Sequence, residues 1–140
     1  MPLLDDDARR LLDAPNFGHL ATLQEGGGPK NDVVWVGRED DLVLVATDAR
    51  SIKAQNVARD ARVSLSVTAF DDPYEQLLVR GRVIEIRPDG DLTTLDEMSQ
   101  KYLGTAFPRR RWTDRVVLVI EADTARHYRS ALRDPRTGQG

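Results

Sequence analysis

From Arg62 to Ala69 apolar and polar positions alternate without a break: Val63, Leu65, Val67 and Ala69 against Arg62, Ser64, Ser66 and Thr68. A period of two is that of a strand with one buried face. Shorter apolar runs bounded by turn residues predict further strands over residues 17–23, 32–36, 42–46, 75–86 and 115–122. Gly81 inside the 75–86 run predicts a bulge or a close backbone approach. Three segments carry helix signals instead. Asp5, Asp6 and Asp7 precede Ala8-Arg-Arg-Leu-Leu, a start that Pro15 and Asn16 close. Ser51 stands as N-cap before Ile52, Gln55, Asn56 and Arg59, and Leu92, Leu95, Met98 and Tyr102 line one face of 91–103. Glu25-Gly-Gly-Gly-Pro-Lys and Gly37-Arg-Glu-Asp-Asp read as turns.

About six strands and three short helices, with most strands joined by tight turns, predict a mainly β protein. The expected architecture is a closed or nearly closed antiparallel barrel. A chain of 140 residues with 40% hydrophobic residues suits one core, so residues 1–128 are expected to form one domain and 129–140 a polar tail.

Composition then removes whole classes of chemistry. With no cysteine, disulfides, thiolate metal sites and cysteine nucleophiles are excluded, and with only His19 and His127 so is a three-histidine metal centre in one chain. A net charge of -3 argues against general nucleic-acid binding. No apolar run approaches the ~20 residues of a membrane helix. The N-terminus is acidic where a signal peptide is basic, so a cytoplasmic protein with no membrane partner is expected. Basic residues concentrate at 50–62, 80–87 and 109–115, which leaves room for a small anion.

The strongest candidate for chemistry is Thr47-Asp-Ala-Arg50-Ser51-Ile-Lys53-Ala-Gln-Asn56-Val, where a buried strand meets a short helix. Free amides at a helix start favour phosphate, and Arg50, Ser51 and Lys53 supply donors and charge. Taken alone, the segment reads as a helix capped by Ser51 with Arg50 and Lys53 solvated. Asn31 and Asp32 on Lys30-Asn-Asp-Val-Val-Trp35 offer polar edges for a heterocycle, or simply end a hairpin. Arg80 and Arg82 are expected on one strand face, solvated or facing an anion, and Pro108-Arg-Arg-Arg-Trp112 forms a loop or a lid over an anionic ligand. His19 reads as a satisfied strand residue and His127 as exposed. Asp96 and Glu97 read as a solvated helix face.

In order, Gly18-His-Leu-Ala-Thr22-Leu, the glycine turn with Pro29, Ser51-Ile-Lys53 with Asn56-Val and Asp60-Ala-Arg62-Val, Val79-Arg-Gly81-Arg-Val and a helix ending Lys101-Tyr102 form a pattern. It resembles the pyridoxamine-phosphate-oxidase-like split-barrel flavoproteins, and within them the small branch using the deazaflavin coenzyme F-420. The resemblance implies a split barrel of Greek-key type. It implies a homodimer with the cofactor at the subunit interface, the phosphate beside Arg50, Ser51, Lys53 and Asn56, and the ring system beside Asn31, Asp32, Val33, Val34, Ala46 and Thr47. Arg80 joins the set as a cation for the acidic F-420 tail. The implied activity is hydride transfer to or from a small organic substrate. An FMN enzyme, or a non-catalytic carrier of flavin, deazaflavin or tetrapyrrole, is the alternative. The C-terminal Arg126-His-Tyr-Arg-Ser lacks the Trp-Arg element of pyridoxamine oxidases, which argues against that particular substrate.

Overall fold

The alternation at 62–69 becomes β5 (Arg62–Ala69), with the burial its pattern requires. Around it the chain runs α1 (Asp6–Asp13), β1 (Gly18–Leu23), β2 (Pro29–Val34), β3 (Gly37–Glu39), β4 (Leu42–Asp48), α2 (Ile52–Arg59), β6 (Asp72–Pro88), α3 (Thr93–Leu103) and β7 (Arg115–Arg129). The structure, a computed structural model, describes residues 3–112 and 114–132. The tail predicted beyond residue 132 lies outside the described residues.

The strands form one antiparallel sheet in the order β2-β1-β5-β6-β7-β4-β3. Its two edges, β2 and β3, are separated in the chain only by Trp35 and Val36. A flat sheet of this size would hold its edges roughly 29 Å apart. The step from Val34 to Gly37 spans at most about 11 Å. The sheet is therefore rolled, with a seam between β2 and β3, which is the split barrel the sequence predicts. The seam is pinned from α3. Lys101 Nζ donates to the carbonyls of Leu12 and Val36, and Tyr102 Oη accepts from Val36 N at 3.0 Å while donating to the Asn16 carbonyl. Burial pushes the Lys101 amine down to about 8.

Inside the roll, Leu20, Val45, Leu65, Val67, Leu118 and Ile120 form the main core with Leu11 and Leu12 of α1. A second cluster lies outside, where Met98 of α3 covers Leu44, Val117 and Val119. β7 is thus apolar on both faces because α3 seals its outer one. The hydrophobicity of 116–120 is therefore absorbed on both faces of β7 within one chain.

Strand ends differ from expectation for physical reasons. β3 was hidden in a Gly-Arg-Glu segment that reads as a turn, yet it pairs with β4 through Arg38↔Val43. Its shortness and charge suit an edge. β7 continues past residue 122 to Arg129 because it ladders along β6, from Gly81↔Ala122 to Glu75↔Arg129, with a solvated outer face. The bulge at Gly81 is real: the β6–β7 register shifts between Arg80 and Gly81. A Cβ there would meet the Glu121 carbonyl oxygen at 2.0 Å, so only glycine permits this approach.

Candidate functional site

The end of β4 and the start of α2 behave as the cap chemistry requires. Ser51 Oγ accepts from Ala54 N at 3.2 Å and from Thr47 Oγ1 at 2.9 Å. This fixes Thr47 and aims the first turn of α2 at a cleft of about 250 Å³. Val33, Val34, Ala46, Thr47 and Lys53 line it, together with Trp35, Phe107 and Arg115. Five of the predicted site residues therefore converge on one space. Lys53 forms no hydrogen bond or ion pair among the described residues.

Arg115, at the start of β7, falls in the basic run 109–115 but is not among the site residues the sequence predicts. It is 7% exposed, and its Nε is buried without a hydrogen-bond partner. Its guanidinium lies 4.3 Å from the Trp112 ring centroid, while Arg109 covers the same ring at 3.9 Å. Desolvation holds the Arg115 pKa below the ordinary arginine value, against the pull of Asp48 and Asp89. A buried cation whose Nε has no hydrogen-bond partner, and which Asp48 and Asp89 offset only in part, gains from an anion bound in the cleft beside it. Only a strand-initial arginine is visible in the sequence; its burial comes from the 107–112 loop folding over it.

That loop is tied down at both ends. Asp96 accepts from Phe107 N at 2.9 Å and pairs with Arg110 at 2.7 Å, and the Trp112 indole N–H donates to Asp48. Asp96 is thus a loop anchor rather than the solvated residue expected. Arg110 is spent on this anchor and Arg109 lies over Trp112, and neither Arg109 nor Arg111 forms an ion pair among the described residues.

The remaining candidates lie elsewhere. Arg50 points outward and pairs with Asp48 and Asp114 at 3.3 Å each. Asn56 is buried at 3% exposure, donating to Thr22 Oγ1 at 3.0 Å and accepting from Arg59 at 3.1 Å, so its amide locks α2 to β1. Asn31 is exposed on the outer face of β2, and Asp32 accepts from Lys30 at 2.6 Å with its other oxygen buried and unpartnered. Arg80 lies in a separate cleft of about 340 Å³ with Arg62, Ser64 and Asp123. Arg82 pairs with Glu121 and Asp123 at 2.7 and 2.8 Å.

His127, expected exposed, is half-buried with Nε2 2.7 Å from Glu75. Asp7, Glu75 and His127 offer donor atoms within 4.8 Å of one another. Arg10 and Arg129 both pair with Glu75, so the group is a charge-balanced knot.

Six aromatic rings touch in succession: Phe70, Phe17, Tyr102, Trp35, Phe107 and Trp112, with Trp35 and Tyr102 stacked at 5.0 Å and 5°. They run beside the seam and give the cation-bearing cleft an aromatic wall.

A solved structure described as an F420 reductase is 27% identical over 84% of this chain and 94% of its own, with a TM-score of 0.77. A putative pyridoxamine 5'-phosphate oxidase from Listeria innocua (18% identity, 86% of this chain, 94% of its own, TM-score 0.69) shares the fold. So does a heme binding protein from Mycobacterium smegmatis (23% identity, 92% of this chain, 55% of its own, TM-score 0.66). No curated protein matches the chain. Among the described residues no helix is long and apolar enough to cross a membrane. The family model for pyridoxamine 5'-phosphate oxidase matches residues 4–129, nearly the whole described barrel, and the chain belongs to that family.

Proposed function

We propose that the protein is an oxidoreductase that binds the deazaflavin coenzyme F-420 and transfers a hydride between it and a small organic substrate. The observation that carries this reading is the pair of cations, Lys53 and buried Arg115, that form no hydrogen bond or ion pair from their side chains among the described residues and line a cleft with an aromatic wall. An anionic group attached to a planar ring system fits that donor set. Lys53, the Ser51 turn and Arg115 would hold the phosphate side, with the ring against Val33, Val34, Ala46 and Thr47. When bound, the deazaflavin supplies the hydride chemistry. The chain's own residues bind, orient and desolvate it. The 27% identity to a protein described as an F420 reductase supports F-420 over FMN. So does the surplus of cations, since F-420 carries an acidic tail and the loop that lends Phe107 to the cleft also carries Arg109 and Arg111, neither of which is in an ion pair among the described residues.

A fluorescence titration of the cofactor-free protein with FMN and with F-420 tests this. F-420 is expected to bind more tightly than both FMN and its own tail-less ring-and-ribityl fragment at low salt. The advantage should shrink towards 1 M salt, where the Debye length falls to about 3 Å. Tighter binding of FMN would move the assignment to a flavin enzyme. Binding without hydride transfer to any acceptor would make the protein a carrier.

A homodimer belongs to the same reading. Arg80 and Lys53 open on different clefts of one chain, so a two-fold copy is the arrangement that brings Arg80 to the cofactor held at Lys53. Sedimentation equilibrium should give the dimer mass at micromolar concentration. A monomer that still binds F-420 would remove Arg80 from the site.

A further inference from the structure

The seam between β2 and β3 depends on two neighbouring residues at the end of α3. Val36 is fully buried in the step between the strands, where neither ladder reaches it. Buried backbone groups left unpaired are costly, so its N–H and C=O need partners from elsewhere. Both come from α3. Tyr102 Oη accepts from the Val36 N–H at 3.0 Å, and Lys101 Nζ donates to the Val36 carbonyl. Each side chain also reaches a second element. Lys101 Nζ donates at 2.8 Å to the carbonyl of Leu12, in the last turn of α1, where a cation suits the helix dipole. Tyr102 Oη donates to the Asn16 carbonyl between α1 and β1.

The same pair reaches the cleft bearing Lys53 through Trp35. The Trp35 ring lines that cleft and lies flat on Tyr102, with centroids 5.0 Å apart and planes within 5°. Lys101 Nζ sits 4.8 Å from the centroid of the Tyr102 ring. Trp35 is therefore held twice, at its ring by the stack and at the following peptide by the Val36 bonds. Charged groups around Lys101 are few. A small cleft places it beside Asp13 of α1, Arg38 of β3 and exposed Glu97 of its own helix, while β4 contributes only Leu44. Asp13 is committed to Arg38 through bonds of 2.7 and 2.9 Å. Its attraction for Lys101 is outweighed by desolvation, which brings the amine down to about 8 from an ordinary 10.5. A charged amine bonds a carbonyl more strongly than a neutral one does.

We propose that Lys101 and Tyr102 form a latch on the barrel seam that positions Trp35 in the wall of the Lys53 cleft, and that loss of the Lys101 charge loosens this wall and weakens cofactor binding. Both are positioning residues, acting on the cleft through Val36 and Trp35. The effect on binding rests on the reading that the cleft holds F-420, whereas the effect on Trp35 does not.

Linkage separates this local loosening from a general loss of stability. Between about 8 and 10.5 the unfolded chain keeps a proton on Lys101 that the native state has released. Stability due to Lys101 therefore grows with pH across that window. Melting temperature and cofactor affinity should move in opposite directions there, with the melting difference between wild type and Lys101→Met isolating the contribution of Lys101.

The test begins with tryptophan emission of the cofactor-free wild type, followed from about pH 7 to about pH 9, on either side of the Lys101 transition. A step is expected midway. Lys101→Met, which fills the space without charge or donors, should abolish it and show the high-pH emission throughout. Lys101→Arg, which stays charged, should also abolish it but keep the low-pH emission. Tyr102→Phe retains the ring stack and loses the bonds to Val36 and Asn16, so its emission should be shifted at both ends with the step preserved. F-420 titrations at the two ends complete the test. Wild-type affinity should fall roughly fivefold on raising the pH, the difference between a charged and a neutral hydrogen bond. Lys101→Met should bind at the weaker level at both pH values, and Lys101→Arg at the tighter one. Emission that stays flat in the wild type, or a step that survives both Lys101 substitutions, would overturn the latch. A step in emission with F-420 affinity constant across it would overturn the control of binding. A step that obeys both Lys101 substitutions in a protein that binds no F-420 at either pH would uphold the latch and remove the cofactor reading.

Discussion

Arg115→Met is expected to raise the melting temperature of the cofactor-free protein and at the same time to weaken F-420 binding. The two effects have one cause. Arg115 is buried, its Nε has no partner, and desolvation already lowers its pKa. Methionine keeps the length and most of the volume that pack against Trp112 but removes the desolvated charge, which Asp48 and Asp89 offset only in part. Replacing buried charge by apolar volume is commonly neutral or stabilising, here by about 1 kcal/mol, or roughly 3–5 °C. A ligand anion supplies what the fold withholds, so losing the guanidinium should cost about 1–3 kcal/mol of binding, the scale of a charged hydrogen bond. Lys53→Ala should cost a similar amount of binding with an unchanged melting temperature, since Lys53 is only half-buried at the helix start. The double variant, measured by fluorescence titration and differential scanning calorimetry, should lose about the sum. F-420 affinity unaltered in the folded double variant would refute the anion-site assignment. A lower melting temperature for Arg115→Met alone would show that the arginine is structural.

This pairing of strain with function also explains what the sequence could and could not disclose. Local signals were legible: Asp5 and Ser51 cap α1 and α2, and the 62–69 alternation is β5. Lys53 was legible as a site candidate because a cap, a strand end and a cation fall within seven residues of one another. Arg115 was not, because its meaning depends on Trp112, held in place by Asp48 from a distant strand. Arg50 and Asn56 share the same short segment as Lys53 but are turned away by partners that spacing does not reveal, Asp48 and Asp114 for one and Thr22 for the other. His127 was misread for the same reason. A histidine on a polar strand end looks solvated until Glu75 is brought to it by the long pairing of β7 along β6.

Glu75 should govern the acid stability of the barrel. Its carboxylate is buried at 3% exposure, and that desolvation raises its pKa. Hydrogen bonds from Arg10, His127 and Arg129 outweigh it and hold the group down at about 2, from an ordinary 4.5. Between those values the unfolded chain binds a proton that the native state does not. The contribution is therefore complete above about pH 5 and lost progressively as pH falls towards 2, to the extent of roughly 3 kcal/mol. Asp13, Asp48, Asp60 and Asp96 are also held low, so the wild-type curve alone does not isolate the effect. The difference between wild type and Glu75→Gln does. At pH 7 the variant leaves Arg10, Arg129 and the half-buried His127 facing a neutral amide, and it should be less stable by about 3 kcal/mol, as for a broken buried ion pair. Near pH 2 the two proteins should converge, because protonated glutamic acid and glutamine are then alike. Urea unfolding followed by circular dichroism at pH 7, 5, 4 and 3 measures the gap directly. The knot joins α1 to the far ends of β6 and β7, away from Lys53, so F-420 affinity of the folded variant at pH 7 should be unchanged. A stability gap that stays constant from pH 7 to 3 would show that Glu75 acts through packing rather than through its charge.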